Sequence, residues 1–270
     1  MKIIKLILAL LFCVVTVLYA GTALYRAVFH KNDPPVISCS SHTLEVKVTD
    51  GADVLLSGIS ASDPQDGDLT AQVRIAGTSK LIDQNTAKVT YLVFDSDNNM
   101  GSYTRFIRYT DYARPRFEVT SPLLFDANQE IAPAKFIRAV DTIDGDISSS
   151  VRIATLNLTT AAGVYTITAT VTNRMGDTAQ IALPVILVDG LSSRVQVQLK
   201  QYLLYLDQGA AFDPASYLKG VTDPGDKAPS LADVQITSEV DTTAPGTYRV
   251  TYTYGSGNQA GTAILTVVVQ

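Results

Sequence analysis

The sequence predicts an all-β body of three tandem β-sandwiches preceded by one N-terminal transmembrane helix. Three observations carry this reading: an uncharged apolar run near the N-terminus, a hydrophobic period of two nearly everywhere after it, and a motif repeated at a fixed spacing. Composition agrees. With 46% hydrophobic and only 17% charged residues, 270 residues can cover real cores, so disorder of the whole chain is excluded.

Residues 6–25, LILALLFCVVTVLYAGTALY, carry no charge. As a helix they would be about 30 Å long, the thickness of a bilayer's hydrocarbon core, so the lipid bilayer is the first expected partner. Lys2 and Lys5 precede the run and favour a cytoplasmic N-terminus. Arg26 and Lys31 on the far side weaken that asymmetry without reversing it. The rival is a signal peptide cut after Ala23, with Gly21 and Ala23 as its small residues. A run longer than the roughly 7–15 apolar residues of a signal core favours an uncleaved anchor. Phe12 before Cys13 excludes a lipoprotein box. Either way the body is exported; with the anchor retained, it is expected at the cell membrane as a single-pass protein with its C-terminal domains extracytoplasmic.

Charge and cysteine usage narrow the function. Lys+Arg 21 against Asp+Glu 26 gives −5, and four of the bases (Lys2, Lys5, Arg26, Lys31) precede residue 32, so the rest carries 17 against 26, or −9. An acidic body without a basic stripe does not bind nucleic acid. Cys13 lies in the span and Cys39 is the only thiol beyond it, so the exported part forms no internal disulfide. Cys39, in the run Val36-Ile37-Ser38-Cys39, reads as a half-buried strand residue.

Self-comparison supplies the domain plan. Ser62-Asp63-Pro64-Gln65-Asp66-Gly67-Asp68-Leu69 recurs at an offset of 78 as Val140-Asp141-Thr142-Ile143-Asp144-Gly145-Asp146-Ile147. Val73-Arg74-Ile75 recurs as Val151-Arg152-Ile153 at the same offset, and the turn Asn98-Asn99 maps to Gly176-Asp177. At an offset of 83, Val151-Arg152-Ile153 becomes Val234-Gln235-Ile236, and Gly163-Val164-Tyr165 becomes Gly246-Thr247-Tyr248. The turn of this third copy is reduced to Asp223-Pro224-Gly225-Asp226-Lys227.

Within each copy side chains alternate. Tyr165, Ile167, Ala169 and Val171 interleave with threonines; Tyr248, Val250, Tyr252 and Tyr254 do the same, and Val89, Tyr91 and Val93 share the phase. One face then meets a core and the other water, as in antiparallel sheets. Further strands are expected at about 43–48, 71–76, 102–109, 135–140, 179–188, 195–199, 202–206 and 261–269, with no sustained helical period after Lys31. Short strands in units of about 75–80 residues mean immunoglobulin-like sandwiches. Boundaries at Asp33-Pro34-Pro35, Asp111–Pro115 and Asp189–Ser193 divide the chain into a tip and anchor at 1–31 and domains at 32–111, 112–190 and 191–270. Linkers this short predict modules set end to end and unfolding independently.

These motifs resemble the immunoglobulin-like domain of bacterial surface proteins, a type also found in an insecticidal crystal protein. Asp63 to Thr70 and Asp141 to Ser148 match its D-x-x-D-G-D-[LI]-[TS] turn, Pro245 to Tyr252 its P-G-T-Y-x-V-x-Y strand, and Gly257-Asn258 its final turn. Copy one lacks the Gly-x-Tyr, copy two the Pro and copy three the Asp-Gly-Asp. The resemblance implies a surface-exposed, non-catalytic stalk or adhesion module of a bacterial envelope and names no ligand. Cell-wall glycans or surface proteins are the partners expected of such a module.

Chemistry is sparse. Asp63, Asp66 and Asp68, with Asp95 and Asp97, could offer oxygen ligands to Ca²⁺, as could Asp141, Asp144 and Asp146. The competing reading is structural: Asp-Gly builds tight turns whose carboxylates accept backbone N–H groups. It is favoured because no EF-hand pattern is complete and the third copy has lost its acids, so no cofactor is expected. The alternative function is a calcium-dependent surface receptor for a glycan or protein. Of the two histidines, His30 sits at the membrane edge and His42 starts a strand, so no Ser-His-Asp triad and no enzyme is expected. Asn157-Leu158-Thr159 is a formal sequon to which no role is given. Tyr165, Tyr248 and Tyr252 fall in the inward phase. Tyr103, Tyr109 and Tyr112 lie near the first linker, and Tyr202 and Tyr205 point to opposite sides of one strand. The chain ends on strand 262–269 without a sorting motif, so no wall anchoring is expected there.

Overall fold

A computed structural model describes residues 2–29, 33–155, 161–225 and 229–270. His30, Lys31, the sequon at 157–159 and the pair Asp226-Lys227 lie outside the described residues. Helix α1, Lys2–Phe29, contains the expected apolar run; its stretch Ile3–Tyr25 is long and apolar enough to cross a membrane, and none of it is buried against the rest of the chain.

Beyond it the chain is β apart from one helical turn, Ala52–Leu55, and short 3-10 turns. The strands are β1 Val36–Cys39, β2 Thr43–Val46, β3 Ile59–Asp63, β4 Gly67–Asp68, β5 Arg74–Thr78, β6 Thr86–Phe94 and β7 Met100–Tyr109; then β8 Arg116–Val119, β9 Leu124–Asp126, β10 Ile137–Asp141, β11 Gly145–Asp146, β12 Arg152–Thr155, β13 Gly163–Thr172 and β14 Thr178–Val188; then β15 Gln196–Leu199, β16 Leu203–Leu206, β17 Leu218–Thr222, β18 Gln235–Ser238, β19 Gly246–Tyr254 and β20 Gly261–Val269. They form three sheet pairs: β1-β3-β4 with β2-β7-β6-β5, β11-β10-β8 with β12-β13-β14-β9, and β15-β17 with β16-β20-β19-β18. Each pair uses one plan. Its first strand joins the small sheet; its second crosses to the large sheet and pairs in parallel with the last strand, as β2 with β7, β9 with β14 and β16 with β20.

Alternation sets the cores. Ala87, Val89, Tyr91 and Val93 on β6, Ile167, Ala169 and Val171 on β13, and Val250 and Tyr252 on β19 are all buried, in the phase read from the sequence. Two strands break the pattern. Leu183 through Leu187 on β14 and Ala263 through Val267 on β20 are buried without interruption, whereas the equivalent β7 keeps its alternation. A strand buried on both faces needs a neighbour on each. The outer faces of β14 and β20 supply it to one another: Pro184, Ile186, Ile264 and Thr266 surround a cavity of only about 20 Å³.

Residues 111–270 therefore form one compact unit and residues 1–110 another. A single hydrophobic cluster runs from Phe117 to Val269. Tyr202 N–H donates to the Val119 carbonyl (3.2 Å), Phe117 N–H to the Tyr205 hydroxyl (3.1 Å), and Arg249 to Thr166 Oγ1 (3.1 Å). Within this unit the sandwiches share a core, which is more than the short linker and small junction expected between modules. The linker itself is pinned: Leu191 N–H donates to Asp126 Oδ2 and Arg194 Nε to the Asp189 carbonyl.

Candidate functional site

The acidic turns are the first place to look, and their carboxylates are occupied. Asp63 Oδ1 accepts from the backbone N–H of Gln65 (2.8 Å) and Asp66 (2.9 Å), and Asp141 Oδ1 does the same for Ile143 and Asp144. Asp68 accepts from Thr70 N–H and Asp146 from Ser148 N–H, at 2.9 and 3.0 Å. Asp66 takes the N–H and hydroxyl of Ser96, and Asp144 the N–H of Arg174 together with its guanidinium at 3.0 Å. The motif is thus a clasp that ties the turn to the hairpin loop across the sandwich. Gly67 and Gly145, at φ of +77° and +69°, supply the left-handed residue it needs. Ser148 and Arg138 hold Asp146 down to a pKa of about 2. Among the described residues no group of three or more His, Cys, Asp or Glu is placed to hold a metal ion.

The two clasps differ at one atom. Asp141 Oδ2 accepts from Asn173 Nδ2 at 3.0 Å, inside a network in which Asn173 also donates to Tyr112, Tyr112 donates to Asp177, and Asp177 pairs with Arg114 at 2.8 Å. Burial first, and then Asp177, push the Tyr112 phenol up. In the first copy Asn173 is replaced by Asp95 and Asp177 by Asn99, and the buried Asp63 Oδ2 has no hydrogen-bond partner. Asp95 turns to Asn99 instead, accepting from its N–H and its side-chain amide. The backbone N–H of Asp97 also donates to the Asp95 carboxylate.

The tyrosines and the thiol fall as follows. Tyr252 is fully buried, donates to the Pro214 carbonyl, and is pushed up to a pKa of about 12 by burial. Tyr165 and Tyr248 are half-buried, not core: each ring folds over the glycine two residues before it, and each hydroxyl donates to a carbonyl four residues back. That geometry explains the Gly-x-Tyr motif, because a Cβ on Gly246 would stand 3.2 Å from the Tyr248 ring. Tyr103 meets His42 Nδ1 at 3.0 Å and Tyr112 belongs to the second sandwich. Tyr202 and Tyr205 both pack against that sandwich.

One buried group was missed by sequence reasoning. Arg105 is 1% exposed and takes the inward place that Leu183 and Leu265 hold in the other cores. It donates to the Leu55 and Ser57 carbonyls, to the Tyr91 hydroxyl and to Cys39 Sγ. Cys39, half-buried as expected, donates in turn to the Ser41 carbonyl. The inward phase of Arg105 is a signal visible in the alternation of β7.

With this geometry in hand, the likenesses to known proteins can be placed. Residues 202–269 match the family described as bacterial surface protein, Ig-like domain. That stretch covers β16 to β20 of the third sheet pair. No curated protein matches the chain in sequence. Among solved structures, the CBM51-2 and INT domains of Clostridium perfringens ZmpB with GlcNAc are 14% identical, with 87% of this chain and 42% of that chain covered and a TM-score of 0.24. Drosophila N-cadherin EC1-4 is 14% identical over 88% of this chain and 75% of that one, at 0.24. Protocadherin Gamma B2 extracellular domains 1-5 are 12% identical over 88% and 60%, at 0.21. The chain spans less than two thirds of the first of these.

Proposed function

We propose that this chain is a single-pass membrane protein of a bacterial envelope, with a short cytoplasmic N-terminus and a non-catalytic body of immunoglobulin-like domains at 32–111, 112–190 and 191–270 held outside. The body spaces or presents a binding surface for cell-wall glycans or surface proteins. One observation carries the reading: the stretch Ile3–Tyr25, long and apolar enough to cross a membrane and not buried against the rest of the chain, precedes repeated β-sandwiches. Leu6, Phe12, Leu18 and Leu24 are each more than half exposed, and water tolerates no apolar surface of that extent, while a bilayer does. Lys2 and Lys5, in the first turn of the helix and ahead of its uncharged run, favour a cytoplasmic N-terminus. The match of residues 202–269 to a surface-protein family supports the location. The acidic clasps act as structure in this reading, since each of their six carboxylates already accepts a backbone N–H.

Fractionation tests the anchor. The full-length chain should sediment with membranes and resist an alkaline carbonate wash. A soluble secreted form beginning at Leu24 would restore the cleaved signal peptide and end the anchored reading.

A further inference from the structure

Docking of the two sandwiches in residues 111–270 builds a groove that neither has alone. Arg114, Arg116 and Gln180 lie on its second-sandwich wall, Thr247 and Gln270 on its third-sandwich wall, and Tyr205 joins them; it encloses about 510 Å³. Its charge differs from that of the acidic body. Arg114 is neutralised by Asp177, and the neighbouring acids Glu118 and Asp146 are taken by Arg138 at 3.5 and 3.0 Å. The Arg116 guanidinium makes no ion pair or hydrogen bond among the described residues. Its guanidinium stands 5.2 Å over the Tyr205 ring, and Tyr205 is itself fixed by the Phe117 N–H. Stacking holds the cation in place and leaves its fork of N–H donors open, the arrangement that receives a carboxylate.

We propose that this groove binds a carboxylate-bearing saccharide, with Arg116 taking the carboxylate and Gln180, Thr247 and Gln270 the hydroxyls. An extended peptide would dock by adding to a free sheet edge. β8 is an edge strand, but its Phe117 N–H and Val119 carbonyl are already taken by Tyr205 and Tyr202. The polar groups that remain on the walls are side-chain amides and hydroxyls, set beside the apolar Pro115, Ala179, Ile181 and Val268, a lining suited to the hydroxyls and the apolar ring face of a sugar. The site deepens the binding role proposed above and rests on it for the ligand's location, not for the chemistry.

Titration of the purified full chain in detergent with trigalacturonate tests this. Saturable binding is expected, weakened by salt and weakened about tenfold or more by Arg116→Gln or by methyl esterification of the sugar. Thr247→Trp, which fills the groove from the other wall, should also abolish it, and decides the matter if Arg116→Gln does not fold. Absence of binding, or affinity unchanged by both substitutions, overturns the proposal. Triglutamate binding as tightly as trigalacturonate overturns it too, in favour of a peptide. Membrane attachment is read separately by the carbonate wash, so a chain that stays in the membrane and ignores trigalacturonate refutes the groove alone.

Discussion

Asp63 and Asp141 occupy one place in two copies of a turn, yet only Asp141 has both carboxylate oxygens satisfied. An unpaired buried acceptor costs about 1–3 kcal/mol. Exchanging Asp95→Asn and Asn99→Asp recreates the second sandwich's Asn173 and Asp177 without changing net charge. It should raise the melting temperature of residues 1–110 by several degrees, on the scale of about 4–8 °C per kcal/mol for a small domain. A fall would show that Asp95 does not face Asp63. If the clasps are structural, millimolar Ca²⁺ should leave the melting temperature unchanged; a chelator-reversible rise would move Asp63 and its neighbours into a calcium site. Asp146 gives a pH signature. Its pKa is depressed in the folded state, so its contribution is complete above the unfolded value of about 3.9 and is lost as pH falls through about 2. Wild type and Asp146→Asn should therefore differ in thermal melting at neutral pH and converge near pH 2.

At the scale of elements, β14 and β20 decide how residues 111–270 behave. Thr266 is fully buried between the sandwiches and its hydroxyl has no partner. Thr266→Val keeps the shape and removes an unsatisfied group, and should stabilise the unit by about 1 kcal/mol in denaturant unfolding. Ile264→Asp places a charge in the same contact and should split one cooperative transition into two, or unfold the unit. Two transitions already present in the wild type would show that the shared core does not couple the sandwiches. Much of this level was legible beforehand. Alternation located the long strands of each copy, though not the short β3, β8, β9 and β17, and the Asp-Gly-Asp repeat located the turns, because both patterns are local consequences of backbone geometry. The apolar runs of β14, Ile181-Ala182-Leu183-Pro184-Val185-Ile186-Leu187, and of β20, Ala263-Ile264-Leu265-Thr266-Val267, were also in view. Their second buried face was not read, because it depends on another sandwich far along the chain. Arg105 was equally visible by phase, but its main acceptors are the carbonyls of Leu55 and Ser57, which no side-chain pattern encodes. The groove at Arg116 was hidden for the same reason as the docking that forms it.

For the whole molecule, the central claim is that α1 stays in a bilayer while every sandwich stands outside. The uncharged run and the exposed apolar surface of the helix support its place in lipid, and the two amino-terminal lysines favour a cytoplasmic N-terminus. Protease added to intact protoplasts measures this directly, with the chain tagged at its N-terminus for detection. The account predicts loss of everything beyond about residue 32 and survival of a small tagged fragment in the membrane. Full protection of the sandwiches, released only when the protoplasts are lysed, would contradict it.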